Sequence, residues 1–320
     1  MAKLRLKKKV KRVLILSVVL IVGLIFGINK YKDYKYKQTD EYKLLSVGYT
    51  IDDVNVLLDR LKDKDIEYFI SNEKSSDVIS IINEKYYLSK NLYEYLDYKK
   101  ENKDTSYSDV ISIVNVGAHK EWYDSDYVKP TDMSKDYLIL VNKFNYLSND
   151  YEPEDLVNVS LNYSYSGNKA REEVNSAYIS MAKKAKEDGI TLLVNSSYRN
   201  YERQDEIYKE FYLSEGISYA DSYAARAGYS EHQTGLCLDI FTSGASTTDN
   251  FDQSDAFKWL INNSYKYGFI LRYPDKKNHI TGYKYEPWHY RYVGIDVATK
   301  IFLEDITFEE YIVKYLSSSY

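Results

Sequence analysis

The chain has one cysteine, Cys237, in 320 residues. An intramolecular disulfide is therefore impossible, and a cysteine-rich zinc knot is excluded. A chain built this way relies on its core, and on any metal it binds, for stability. Proline is scarce at four residues, and no internal repeat is visible. Acidic residues are absent from the first twelve positions, where Lys3, Arg5, Lys7, Lys8, Lys9, Lys11 and Arg12 sit. Removing those seven cations from the formal net charge of −5 leaves −12 on the rest. An acidic body argues against nucleic acid as a partner.

What is present points to a folded chain. Hydrophobic residues are 44% and charged residues 28%, a globular balance, and the length allows one or two domains with a sizeable core. Tyrosine is abundant at 37 residues, which makes any single tyrosine weak evidence for a site.

Val13 to Ile28 is a run of sixteen residues without a charge. A membrane-spanning helix needs about 20 apolar residues, with about 17 as the lower limit. Asn29 and snorkelling lysines extend the run, so 13–29 reads as a transmembrane anchor. The basic segment 1–12 precedes it and keeps the N-terminus in the cytoplasm, which places the bulk of the chain outside the cell. A cleaved signal peptide is the rival reading. Against it, the sequence continues Asn29-Lys30-Tyr31-Lys32 with no small-x-small cleavage site.

Residues 30–108 read as a stalk and a small helical module. Residues 30–43 are rich in Lys and Tyr. Thr50 followed by Asp53 marks a helix start, and Ile51, Val54, Leu57, Leu58 and Leu61 then share one helical face. Val78, Ile79, Ile82, Leu88, Leu92 and Leu96 continue in helical pieces, and Lys99 to Ser108 is a polar linker.

From residue 109 to 320 the pattern changes. Val110 to Val116 and Leu138 to Val141 are β-branched, strand-like runs, and Ile190 to Val194 is a further strand. Ala170, Val174, Ala177, Met181 and Ala185 mark an amphipathic helix stopped by Gly189. A helix from about Tyr201 to Leu213 presents Gln204 on its first turns. Leu236, Leu238 and Ile240 alternate with Cys237 and Asp239 in a strand with one face in the core. Phe257, Leu260 and Ile261 mark another helix. Gly268 to Tyr273 and Tyr285 to Val293 are the last strands, before helices at 296–304 and 307–316.

Chemistry concentrates in Ser230-Glu231-His232-Gln233-Thr234-Gly235-Leu236-Cys237-Leu238-Asp239 and in Glu286-Pro287-Trp288-His289. These offer two imidazoles and a carboxylate, His232, Asp239 and His289, to hold a metal. A second carboxylate, Glu286, is free to act as a base. Three N/O ligands and an open position describe a catalytic zinc site, and Glu286 is typed to take a proton and hand it to a leaving amine. Arg199, at the end of a strand, carries the planar fork that binds a free carboxylate in a bidentate way. The odd spacing of His232 from Asp239 puts His232 before the strand, with Thr234-Gly235 turning between them. Pro287 supplies a kink between Glu286 and His289.

These residues resemble the VanY-type D-alanyl-D-alanine carboxypeptidase family, zinc peptidases of the bacterial wall. The pattern Ser-x-His-x-x-Gly-x-Ala-x-Asp matches Ser230, His232, Gly235 and Asp239. Glu-x-Trp-His matches Glu286, Trp288 and His289. Ser-x-Tyr-Arg followed by Gln matches Ser196 or Ser197, Tyr198, Arg199 and Gln204. The resemblance covers roughly 136–305 and includes Leu271-Arg272-Tyr273-Pro274 and Tyr292-Val293-Gly294. It implies an α+β fold of the zinc D,D-peptidase type, a small antiparallel sheet flanked by helices, here preceded by the helical module and the transmembrane helix. It implies zinc held by His232, Asp239 and His289, Glu286 as the catalytic base, and substrate contacts from Arg199, Gln204 and Ser230. Tyr198 and Tyr273 are candidates for lining the pocket.

Other readings stand beside these. His119 and His279 lie outside the motifs and read as structural or surface residues. Trp288 reads as a packing residue that shapes the cleft. Cys237 replaces the family's usual Ala and reads as small, inert and buried among apolar neighbours, with a thiol that coordinates or oxidises near zinc as the alternative. The expected activity is removal of the C-terminal D-alanine from peptidoglycan stem peptides. An L,D-carboxypeptidase acting on tetrapeptide stems and an inactive wall-binding scaffold are the alternatives.

Overall fold

The computed structural model describes residues 8–242 and 248–316. Lys3, Arg5 and Lys7 of the basic segment lie outside the described residues. By contacts the chain divides into two compact units, Met1–Ser108 and Asp109–Tyr320.

The first unit is entirely helical among the described residues. Its opening helix, Lys8–Lys37, has a window of mean hydropathy 2.4 and buries nothing, so it is long and apolar enough to cross a membrane. A signal sequence passes the same test. The helix continues through the Lys/Tyr-rich stretch expected to be a stalk. Thr39 caps the next helix, Asp40–Val47, which ends at Gly48 with φ +111°, a left-handed geometry that glycine adopts freely. The expected start at Thr50 is a full capping box with Asp53. The apolar face of Ile51–Arg60 is narrower than the sequence implies. Val54 and Leu57 are buried, whereas Ile51 and Leu58 are 52% and 39% exposed. Leu44, Ile66, Phe69, Val78, Ile81, Ile82, Leu92 and Tyr95 complete this core.

The second unit is built on a four-stranded antiparallel sheet. Its strands run in the spatial order Leu193–Ser196, Cys237–Phe241, His289–Tyr292 and Phe269–Leu271. Cys237–Phe241 is central and buried throughout. Leu238 and Ile240 enter a core with Val174, Tyr178, Met181 and Ala185 of the helix Glu172–Glu187. Fully burying each large aliphatic side chain stabilises by roughly 1.5–3 kcal/mol. Because side chains alternate along a strand, Cys237 and Asp239 are directed to the opposite face.

Two expected strands are corrected. Val110 to Val116 belongs to the helix Tyr107–Val116. Val110, Ile111, Ser112, Ile113 and Val114 are all buried there, and a helix apolar on most of its surface is stable when enclosed, whatever its β propensity. Its one buried hydroxyl, on Ser112, donates to Glu310 Oε1 at 2.6 Å. Leu138 to Val141 closes a 3-10 turn, Met133–Leu138, and continues as buried irregular chain. Its carbonyls are satisfied by side chains instead of a ladder: Thr131 Oγ1 donates to Leu140 O and Arg291 Nη2 to Ile139 O. Two further strands are shorter than expected. The first sheet strand begins at Leu193, and Glu286-Pro287-Trp288 forms a turn before the strand starts at His289.

Candidate active site

The site is assembled by the register of the central strand. Asp239 is the cross-strand partner of His289 on one side and of Ser196 on the other. Directly opposed residues point the same way, so two residues fifty positions apart share one cleft. His289 Nδ1 lies 3.3 Å from Asp239 Oδ1 and 3.4 Å from Glu286 Oε2. Glu286 reaches this position because its N–H donates to Tyr273 O and its carbonyl accepts from His289 N.

His232 sits in the short 3-10 helix Glu231–Thr234 ahead of the strand, and the Ser230 hydroxyl accepts from its backbone N–H. The turn onward needs Gly235. Its φ is +66°, and an added Cβ would lie 2.9 Å from Leu156 Cδ2 and 3.1 Å from Arg171 Cγ, so a side chain is excluded by both conformation and space. His232 Nδ1–H donates to Ser197 O at 2.5 Å. That bond fixes the tautomer and aims Nε2 at Asp239 Oδ2, 3.5 Å away. The two imidazole rings stand edge to face, 5.0 Å apart.

These groups line a cleft of about 230 Å³. Of the expected substrate residues, Arg199, Gln204 and Ser230 line it, as does Tyr273. Tyr198 is not among the lining residues, and its hydroxyl is buried without a hydrogen-bond partner. In the extended segment after the sheet strand it alternates with Arg199, whose side chain takes the cleft. Gln204 grips Arg199: Arg199 Nε donates to Gln204 Oε1 at 3.0 Å and Nη1 to Ser196 Oγ at 2.8 Å. Gln204 is itself held by donating to Ala225 O. Trp288 lines the cleft and stacks on Phe241, the packing role expected of it.

Electrostatically the site favours positive charge beside Asp239. Burial opposes ionisation of Asp239, but the adjacent imidazoles hold its carboxyl far below the usual carboxylate range. Burial and Arg199 oppose the charged form of His232, yet Cys237 and Asp239 raise its pKa to about 9. Burial lifts Glu286 to about 7, with His289 pulling the other way. Among the described residues, Asp239 Oδ1 and His289 Nε2 are buried with no hydrogen-bond partner. A metal ion fits such a set, because it takes the place of the protons on imidazole and satisfies the orphaned carboxylate oxygen.

The expectation for Cys237 needs correction. It is buried, but its neighbours are not all apolar. Among the described residues, the Cys237 thiol and the imidazoles of His232 and His289 bring donor atoms within 4.8 Å of one another. Burial disfavours the thiolate, but the two imidazole charges outweigh it and draw the thiol down to about 7. The alternation that placed Cys237 beside Asp239 was the available signal.

Four further residues support the site. Glu231 Oε1 accepts from Arg272 Nε at 2.8 Å and from Arg291 Nη1 at 2.7 Å. Arg272 forks onto Glu309 at 2.9 and 2.5 Å. The free oxygen, Glu231 Oε2, faces His289 Nε2 at 3.6 Å. A carboxylate behind a ligating histidine fixes its tautomer and ring orientation. The signal for these residues was a charge inside an apolar strand segment: Arg272 directly follows Phe269-Ile270-Leu271, and Arg291 lies within the His289–Tyr292 strand.

The family model described as VanY, D-alanyl-D-alanine carboxypeptidase, matches residues 167–295. The chain is 42% identical over 187 residues to a Bacillus subtilis (strain 168) protein named carboxypeptidase YodJ, a name given provisionally. That match spans 55% of this chain and 67% of the relative. A solved structure of the LD-carboxypeptidase LdcB, described in terms of peptidoglycan recognition, is 38% identical, with a TM-score of 0.56 over 61% of this chain and 94% of that one. A VanY D,D-pentapeptidase from a VanB-type resistance cassette, solved with Zn(II), is also 38% identical, with a TM-score of 0.48 over 55% of this chain and 98% of that one.

Proposed function

The chain belongs to the VanY family of D-alanyl-D-alanine carboxypeptidases, and on that premise we propose that it is a zinc metallopeptidase that removes the C-terminal D-alanine from peptidoglycan stem peptides. The observation that carries the proposal is the convergence of His232, Asp239 and His289 with a separate carboxylate, Glu286, on one cleft. His232, His289 and Asp239 would hold the metal, with His232 Nε2 and His289 Nδ1 the ring nitrogens facing Asp239. When bound, zinc supplies a Lewis acid that polarises the scissile carbonyl and makes a nucleophile available at neutral pH.

The remaining chemistry belongs to the chain. Glu286, buried and with its pKa near neutrality, accepts a proton from the attacking water and passes it to the departing amine. Arg199, steadied by Ser196 and Gln204, takes the free C-terminal carboxylate that defines a carboxypeptidase substrate. Ser230 shapes the wall while capping the turn that carries His232. Glu231 and Ser197 O keep the two imidazoles in their ligating orientations.

The Lys8–Lys37 helix supports a single-pass anchor with the catalytic unit outside the cell, where peptidoglycan is. One observation favours a second reading: the likeness to the LD-carboxypeptidase LdcB supports removal of D-alanine from tetrapeptide stems. Digestion of purified pentapeptide and tetrapeptide muropeptides separates the two. Release of D-alanine from pentapeptides alone supports the first reading, release from tetrapeptides alone the second, and no release from either overturns both.

A further inference from the structure

The sequence departs from its family pattern at one point of the motif, with Cys237 standing where Ala is usual, and that side chain lies at the site. Cys237 and Asp239 are two residues apart in one strand and therefore share a face. Asp239 is opposed by His289 across the ladder, and Cys237 by Arg291. The Cys237 thiol and both imidazoles bring their donor atoms within 4.8 Å of one another. Tetrahedral zinc holds its ligand atoms about 3.3–3.7 Å apart, a gap that small side-chain rotations close. A second, independent sign of a ligand is the buried Asp239 Oδ1, which has no hydrogen-bond partner.

From this geometry, and resting on the zinc reading of the site, we propose that Cys237 Sγ is a fourth protein donor, joining His232, Asp239 and His289. The S–H bond breaks as the sulfur–metal bond forms, and the proton leaves to solvent through the cleft. No oxidant or reductant is needed. A set of two imidazoles, one carboxylate and one thiolate is a closed site of the kind zinc occupies structurally, without the open position that catalysis needs. The enzyme then rests with its metal fully ligated by protein. Substrate entry requires the sulfur to withdraw or the coordination number to rise, and Cys237 provides a gate that a chain with Ala here lacks.

The test is zinc K-edge X-ray absorption on the full chain in detergent, beside Cys237→Ala. Cys237 is the only thiol in the chain, so a sulfur scatterer is assignable. The expected result is one sulfur at about 2.3 Å among N/O neighbours at about 2.0–2.2 Å. In Cys237→Ala the sulfur disappears, zinc stoichiometry stays near one, and zinc affinity falls by about tenfold or more. As Ala is the usual residue here, the variant folds. The cobalt-substituted chain gives a second readout, a near-ultraviolet sulfur-to-metal band lost in the variant. Zinc bound with only N/O scatterers in the unaltered chain would overturn the inference while leaving the zinc site standing. A chain that binds no transition metal would overturn the zinc reading and this inference together.

Discussion

Two charged clusters meet at His289, and both are buried. The first is Glu231, Arg272, Arg291 and Glu309, each at most 3% exposed. The second is His232, Asp239 and His289, at 4%, 8% and 3%. In the first, the arginines donate to two carboxylates and to the carbonyls of Tyr137, Ile139 and Tyr292. In the second, Asp239 Oδ1 and His289 Nε2 have no partner. Leaving a buried polar atom unmade costs about 1–3 kcal/mol, and apart from the facing pair Glu231 Oε2 and His289 Nε2 the orphaned atom of the two clusters is Asp239 Oδ1, which marks the second cluster as the one built for a ligand. On the proposed function the first is scaffold and the second is site. The single unsatisfied oxygen of the scaffold, Glu231 Oε2, is the one turned toward His289.

The comparison breaks most sharply at the site. His289→Ala removes a proposed ligand and should lose zinc and activity together, whereas Glu286→Gln keeps all proposed ligands and removes only the proposed base. Turnover in the latter should fall by about 10²–10⁴-fold with zinc content near that of the unaltered chain. Elemental analysis beside steady-state rates decides this. Loss of zinc in Glu286→Gln would make Glu286 a ligand and undo the division of roles.

Glu231→Gln tests the scaffold from behind. The amide oxygen can still accept from both arginines, but one negative charge is lost and Glu309 alone remains to balance two buried guanidinium groups; breaking such a pair costs about 3–5 kcal/mol. The same change loosens the orientation of His289, so zinc affinity should fall by about 10–100-fold. If stability dropped while zinc affinity was unchanged, Glu231 would be scaffold only. The arginine facing the cleft should behave differently from the two behind it. Arg199→Ala should keep zinc and the fold, and should weaken use of substrates with a free C-terminal carboxylate by about 1.5–3 kcal/mol, the worth of a charged hydrogen bond. Equal losses on amidated and free peptides would refute that role.

Much of the site could be read from spacing, because His232, Asp239, Glu286 and His289 are chemically conspicuous and lie in two short segments. The antiparallel sheet strands at Cys237–Phe241 and Phe269–Leu271 were legible from alternation and apolar runs. Val110 to Val116 was misread because periodicity does not separate a buried helix from a buried strand, and only the enclosure of Val110 to Val114 decides it. Glu231 and Arg272 were invisible as a pair because their meaning lies in a contact 41 positions apart in sequence. Tyr198 was drawn in by its motif, and strand-end alternation turned it away from the cleft.

Lys143 sharpens the comparison with a third kind of buried charge, one with no carboxylate ion pair among the described residues. It is 3% exposed, its Nζ donates to the carbonyl of Asp221 at 2.7 Å, and it lies 4.6 Å from the Tyr283 ring centre and 5.5 Å from those of Trp122 and Tyr123. Burial lowers its pKa from 10.5 to about 8; the Asp221 charge works against that shift and the Arg226 charge adds to it. A lysine with a depressed folded-state pKa makes a destabilising contribution that is fully present below about pH 8. It is relieved as pH rises toward 10.5, because over that window the unfolded chain binds more protons than the folded one. The ceiling on that relief is on the order of 3 kcal/mol, at 1.36 kcal/mol per pKa unit. Lys143→Met keeps the length and removes the charge, so the relief should vanish. The variant should be more stable at pH 7 by about 1 kcal/mol, since loss of the cation–π contacts, worth about 0.5–2 kcal/mol, offsets part of the gain. Tyrosine ionisation is common to both chains and cancels in the difference. The measurement is the difference in unfolding free energy between the two chains from pH 7 to 10, which should shrink and then reverse as pH rises. Parallel stability curves across that range would show that the enclosure of Lys143 by aromatic rings already compensates its charge as fully as Glu231 compensates Arg272 and Arg291.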